Sequence, residues 1–164
     1  MGTTQIVADP GDTRILMRRE FDAPAALLYR AYAEPDLLKR WLGPARLEMR
    51  IDEYDLRHGG RYRFVHVDTD GAEYAFRGVF HGEPSVAGGM MRTFEWEGLP
   101  GHVSFETARF IEQDGRTTLE AVSVFTTVED RDGMIANGME VGIEEGNAKL
   151  DALLAEELAG AAAL

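Results

Sequence analysis

The chain contains no cysteine in 164 residues, which excludes disulfides and thiolate metal sites. No apolar run approaches the roughly 20 residues of a membrane-spanning helix. The first residues, MGTTQIVADPGDTR, lack the basic-then-apolar order of a secretion signal. Cations are scarce: 17 Lys and Arg stand against 29 Asp and Glu, a formal net charge of −12. That balance disfavours nucleic acid and anionic membrane as partners, because both are polyanions. A cytoplasmic location is the expectation from these absences. The histidines at 58, 66, 81 and 102 have no ligand spacing for a metal. Gly59-Gly60 and Gly88-Gly89 do not open a helix after a strand as a phosphate loop does. Ser85, Ser104 and Ser123 lack the context of a nucleophile elbow. No metal and no cofactor are expected.

What is present suits one globular domain. The hydrophobic content is 45%, and a chain of this length buries roughly 70% of its extended surface on folding. Residues 1–12 are polar with Gly and Pro and read as a flexible lead-in; 13–158 form the domain; 159–164 are an alanine-rich tail. Residues 13–21 read as a strand with Ile15, Met17 and Arg19 on one face. Asp22 is placed to cap a short helix over 25–33, and Glu34-Pro35-Asp36 restarts a second through Trp41. Strands are predicted over 47–54, 61–68, 73–83, 90–97, 102–112 and 116–127, with turns at His58-Gly59-Gly60, Asp70-Gly71, Leu99-Pro100-Gly101 and Asp114-Gly115. Short turns between successive strands imply antiparallel pairing. A curved antiparallel sheet of six to seven strands then needs a helix over its apolar face, an α+β arrangement.

That helix is predicted as one element over 128–158. Ile135, Met139, Ile143, Leu150 and Leu153/Leu154 recur at spacings of three and four on one stripe. Gly146 falls near the middle of the stripe and Gly142 at its edge. A glycine inside a helix costs about 1 kcal/mol relative to alanine, so Gly138, Gly142 and Gly146 imply a close approach to the backbone by a sheet, a partner helix or a ligand. A cavity between helix and sheet, with Gly146 facing it, is the leading expectation.

The order of elements, with Phe21-Asp22-Ala23-Pro24 before Leu28-Tyr29, Glu34-Pro35-Asp36-Leu37-Leu38 running to Trp41 and Pro44, Leu56-Arg57-His58-Gly59-Gly60-Arg61-Tyr62, Phe94-Glu95-Trp96 and Asn137-Gly138-Met139-Glu140-Val141-Gly142, resembles the START-like (SRPBCC) superfamily. Within it, the chain is similar to the AHSA-type group, named after an activator of a heat-shock chaperone ATPase. The resemblance spans residues 13–158 and implies a helix-grip fold, in which the sheet wraps around the long C-terminal helix. It does not carry a function, since one fold hosts unrelated activities. Ile143 stands where the group usually has an aromatic residue, which implies a roomier pocket.

Alternation places Tyr62, Phe64 and His66 on the face toward the helix, with Phe94 and Trp96 from a second strand and Leu119, Ala121 and Ser123 from a third. Met139, Ile143, Gly146 and Leu150 join them from the helix. As a set, Tyr62, Phe64, His66, Phe94, Trp96, Met139, Ile143, Gly146 and Leu150 are the candidate ligand-binding residues, although each apolar one alone is also what a packed core contains. His66 and Glu106 are the catalytic candidates. His66 titrates near neutrality and suits a general base, or it is a satisfied core or surface histidine. Glu106 points inward if Ala108 and Phe110 do, and a buried carboxylate then needs a partner such as Arg92 or His66.

Three readings follow. The first is a protein that binds a hydrophobic or aromatic small molecule between sheet and helix. The second is an enzyme of cyclase, dehydratase or hydrolase type acting on a polyketide-like or aromatic substrate. The third is an interaction module, a homodimer or a chaperone partner, that uses sheet edges or the glycine-bearing helix.

Overall fold

Period-two alternation and glycine turns produce the predicted ladder of strands, seen in a computed structural model that describes residues 2–164. The elements run β1 (Gln5–Val7), β2 (Arg14–Phe21), α1 (Ala25–Ala33), α2 (Pro35–Leu38), β3 (Glu48–Tyr54), β4 (Arg61–Val67), β5 (Glu73–Ser85), β6 (Gly89–Trp96), β7 (Val103–Gln113), β8 (Arg116–Val124), α3 (Val128–Ala136) and α4 (Met139–Ala162). All strands form one antiparallel sheet in the order β1-β2-β8-β7-β6-β5-β4-β3. Five hairpin steps build β3 to β8, and β2 closes onto β8, so that the helices cover one concave face. This is the helix-grip arrangement. Among the described residues no helix is long and apolar enough to cross a membrane.

The inner face is readable from the register. Ile15, Met17, Arg19 and Phe21 of β2 stand opposite Ser123, Ala121, Leu119 and Thr117 of β8. Across β7 the same rows continue through Glu106, Ala108 and Phe110. Phe21, Phe80, Phe110 and Leu119 pack with Leu28 of α1 and with Leu150, Leu153 and Leu154 of α4 into the core. Two bonds tie the α1 segment to the sheet and a third ties α1 to the loop after α2. Thr117 Oγ1 donates to the Ala23 carbonyl at 2.7 Å, Trp41 Nε1 to the Ala31 carbonyl at 2.9 Å, and the Tyr54 hydroxyl to the Tyr32 carbonyl at 2.5 Å. On the outer face Arg63 meets Glu97 and Asp52, Arg77 meets Glu95, and Arg50 meets Asp52 and Glu73. Exposed pairs of this kind each contribute about 0–1 kcal/mol; their larger effect is to keep the outer face and the β3 edge unattractive to other strands. Val65, between Arg50 and Ala75 on that face, is nonetheless fully covered.

Four expectations need correction. The helix predicted over 128–158 is two helices. Asn137 ends α3 and Gly138, at φ +83°, occupies the left-handed region that favours glycine. The hydrophobic stripe reads through this break because a one-residue reversal barely disturbs a spacing of three and four. Gly138 is therefore a joint, while α4 keeps the 24 residues that cross the sheet. The sheet has eight strands because Gln5–Val7, inside the segment read as a flexible lead-in, pairs with β2. The helix also runs on to Ala162, through most of the segment read as a tail. Finally, α1 is capped by Pro24, not Asp22; the Pro24 carbonyl accepts from Leu27 and Leu28, and the free N–H of Ala25 reaches Glu112 Oε2 at 3.3 Å.

Candidate functional site

The concave face divides along its strands. At one end Phe80, Leu119 and Leu150 are sealed. At the other, Phe76 and Phe94 are only partly buried although they point the same way. Their rings form a stepped wall: Phe64 and Phe76 have centroids 5.4 Å apart and planes 26° apart, and Phe76 and Phe94 are 5.3 Å and 23° apart. Tyr62 stacks on Phe64 at 6.0 Å and gives its hydroxyl proton to the Thr93 carbonyl at 2.5 Å. Offset rings at such separations are favourable aromatic contacts and present a flat apolar surface.

Two charged groups stand against this wall. Arg92 lies opposite Glu106, and Glu106 opposite Ser123, in one row across β6, β7 and β8. Arg92 Nε donates to Glu106 Oε1 at 2.9 Å; the other carboxylate oxygen has only the Ser123 hydroxyl, at 3.4 Å. The Arg92 guanidinium carbon sits 4.7 Å from the Tyr62 ring centroid and 5.8 Å from that of Phe94, within reach of cation–π attraction. Burial disfavours the charge on Arg92, but Tyr62 and Glu106 outweigh it and hold its pKa above the ordinary value. Burial pushes the phenols of Tyr32, Tyr54 and Tyr62 up, Tyr54 to about 12, against the pull of Arg92. All three phenols stay protonated at neutral pH. A second interior cation, Arg19, is paired with Asp151 of α4 through two bonds of 2.8 and 2.7 Å, while its Nε is buried without a partner among the described residues.

His66 and Glu106 are not brought together. His66 packs edge-on against Phe64 and Phe76 at 5.4 and 5.6 Å. Its Nδ1 is buried without a hydrogen-bond partner among the described residues. Burial first, and the Lys149 charge second, lower its pKa to about 4, so the ring is neutral at pH 7. Glu106 takes Arg92 instead, one of the two alternatives expected as its partner.

The other candidates scatter more. Tyr62 and Phe64 are buried in the inner wall. Trp96 ends the Phe76 row but its ring turns onto Gly98 of its own turn and is 38% exposed. Met139 and Ile143 are half-buried on α4, and Leu150 belongs wholly to the core. Gly146 is the clear correction: it faces backbone, not a cavity. A β-carbon there would stand 3.2 Å from the Trp41 carbonyl and 3.5 Å from the Gly43 nitrogen. The helical wheel placed Gly146 on the buried stripe correctly, but the loop after α2, not a ligand, fills the space. Beside it a groove of about 490 Å³ runs between Pro44–Arg46 and the Gly138–Gly142 start of α4; Glu145 accepts from the Ala45 N–H at 2.6 Å across it.

Sequence reasoning assigned Arg92 only as a partner for Glu106 and left Phe76 out. Both were accessible to the period-two rule, since Arg92 shares the alternation of Phe94, and Phe76 that of Phe80. The pairing of Arg19 with Asp151 joins positions 132 residues apart and had no local signal. Among the described residues no three His, Asp or Glu side chains converge as they would around a metal ion.

Comparison with solved structures gives the same architecture repeatedly. A protein from Rhodobacter sphaeroides is 26% identical, with a TM-score of 0.85, and the match covers 94% of this chain and 99% of that one. One from Arthrobacter aurescens is 22% identical (TM-score 0.84, 93% and 91% covered). Protein Ms6760 from Mycobacterium smegmatis is 24% identical (TM-score 0.83, 94% and 97% covered). No curated protein matches the chain. The family model described as activator of Hsp90 ATPase homolog 1-like protein matches residues 22–155, from just before α1 through β3 to β8 and most of α4, and the chain belongs to that family.

Proposed function

We propose that the protein binds an apolar or aromatic small molecule on the concave side of the sheet, between the Phe64–Phe76–Phe94 wall and the Met139–Ile143 half of α4. The observation that carries this reading is the unequal coverage of one face. Phe76, Phe94, Arg92 and Glu106 remain partly accessible while Phe80, Met90, Phe110 and Leu119, which point the same way, are closed off. An apolar wall with a few placed polar groups is the usual composition of a small-molecule site. The absence of any contact between His66 and Glu106 removes the acid–base pair that would have favoured a catalytic role.

The test is titration with the neutral fluorophore N-phenyl-1-naphthylamine. Binding at micromolar concentration is expected for the wild type. Ile143→Trp, which fills the inner side of α4, is expected to weaken it about 10-fold or more, the effect of losing roughly 1.4 kcal/mol. Phe105→Ser, on the outer face, should leave it unchanged. Loss of binding in Phe105→Ser with retention in Ile143→Trp would place the probe on the outer surface and reject the interior site.

A further inference from the structure

We propose that the Arg92–Glu106 pair selects an uncharged aromatic ligand that carries a carbonyl-type acceptor, and discriminates against the carboxylate or the plain hydrocarbon of the same skeleton. This rests on the interior site proposed above and names the chemistry that the site would recognise.

The donors come first. A guanidinium has five N–H groups in a planar fork. Arg92 spends one, on Glu106. Its two amino nitrogens have no hydrogen-bond partner among the described residues and are not sealed from solvent. The side chain cannot swing freely to find partners elsewhere, because Nε is tied to the carboxylate and the group lies over Tyr62. Fixed N–H donors are thus left open beside the aromatic wall. Glu106 adds an acceptor alongside, since Oε2 has only a long contact to Ser123.

Charge then decides which acceptor fits. Arg92 and Glu106 balance each other, Arg19 and Asp151 balance each other, and Lys149, whose charge reaches His66, has the Glu145 carboxylate near it. The phenols of Tyr32, Tyr54 and Tyr62 are neutral. An incoming carboxylate would therefore bring an uncompensated charge into a partly dehydrated space and lie near the Glu106 carboxylate, which is costly. A ketone, amide or quinone oxygen satisfies the open N–H groups without adding charge. A hydroxyl on the same ring could donate to Glu106 Oε2. A hydrocarbon would leave the Arg92 donors desolvated and unpaired, and such a site rejects the ligand that lacks the polar group.

The experiment uses three probes on one ring system: 2-acetylnaphthalene, 2-ethylnaphthalene and 2-naphthoate, each titrated by calorimetry or tryptophan quenching at pH 7.5. The ketone is expected to bind the wild type about 10-fold or more tightly than either of the others, as one hydrogen bond to a charged donor implies. In Arg92→Met, and in the double variant Arg92→Met/Glu106→Leu that removes the stranded carboxylate, ketone and hydrocarbon should bind within about 2-fold of each other. The double variant keeps the test informative if the single one folds poorly. Naphthoate binding tighter than the ketone would overturn the claim of neutrality. Equal wild-type affinity for ketone and hydrocarbon would overturn the role of Arg92 while leaving the interior site standing. Failure of all three probes to bind would reject the interior site itself, and this proposal with it.

Discussion

The two ends of the sheet's inner face follow the same alternation and end differently. Toward α1 the inward residues Phe21, Phe80, Phe110 and Leu119 meet Leu28, Leu150, Leu153 and Leu154 and are closed off. Toward the other end Phe76 and Phe94 are only partly buried, and the first half of α4 carries Met139 and Ile143, both half-buried, and two glycines. Leu150 and its neighbours are long side chains that reach the sheet; Gly142 and Gly146 have none, and the space at Gly146 is taken by the Trp41–Gly43 backbone. The strands bring inward aromatic rings to both ends. What differs is the covering layer, so openness here is a property of α4 and the loop after α2, not of the sheet.

The sharpest way to break the comparison is to truncate matched aromatic residues at each end. Phe80→Ala, in the closed end, is expected to destabilise by about 3–5 kcal/mol, as full burial implies. Phe94→Ala, in the open end, should cost less than about 2 kcal/mol, because part of its ring already faces solvent. Urea denaturation of the two variants measures both, and equal losses would mean that the ends are packed alike.

Next in size is Glu106→Ala. It strands the Arg92 charge and should cost about 2–3 kcal/mol. Arg92→Met/Glu106→Leu should recover most of that loss, since replacing both members of an ion pair by apolar groups is often neutral. A double-mutant cycle by thermal denaturation checks it. Gly146→Leu should overpack the Trp41–Gly43 loop and destabilise by about 1–3 kcal/mol; a stabilised variant would show that the helix face is open there after all.

The last effect is spread over a range of pH and comes from the titration of His66. Its pKa falls from 6.5 to about 4 on folding, so the unfolded chain binds more protons between those values. Stability should therefore rise with pH across that window and be unaffected by this group above it, with a slope of at most about 1.4 kcal/mol per pH unit. His66→Phe should flatten the slope between pH 4.5 and 6.5; an unchanged slope would assign the dependence to carboxylates instead.

How much of this was legible beforehand depends on the range of the signal. Seven strands and both short helices follow from alternation and turn residues, because each depends on a few adjacent side chains. The inward Glu106 and its need for a partner followed from the same rule, and Arg92 met that need from the neighbouring strand. The Asn137-Gly138 break was missed because periodicity averages over a turn of helix, whereas the left-handed joint occupies one residue. β1 was missed because its three residues have no periodicity to read; only the exposed edge of β2 gives them a partner.

By itself, then, the sequence determined the ladder of strands, which side chains of each strand share a face, and the presence of a long helix with a gap in its stripe, since these depend on local sterics and on a period of two or 3.6. Tertiary structure alone decided what fills the gap. The Gly146 position was legible as a place of close approach, but a loop from 100 residues earlier, a ligand and a strand all satisfy that condition equally. The same holds for charge: Arg19 and Arg92 both lie on the inner face, yet Arg19 is met through both amino nitrogens by Asp151 from α4, whereas Glu106 meets Arg92 through Nε alone. Which of the two remains available is set by how the chain closes on itself, because the deciding partner lies beyond the reach of any local pattern.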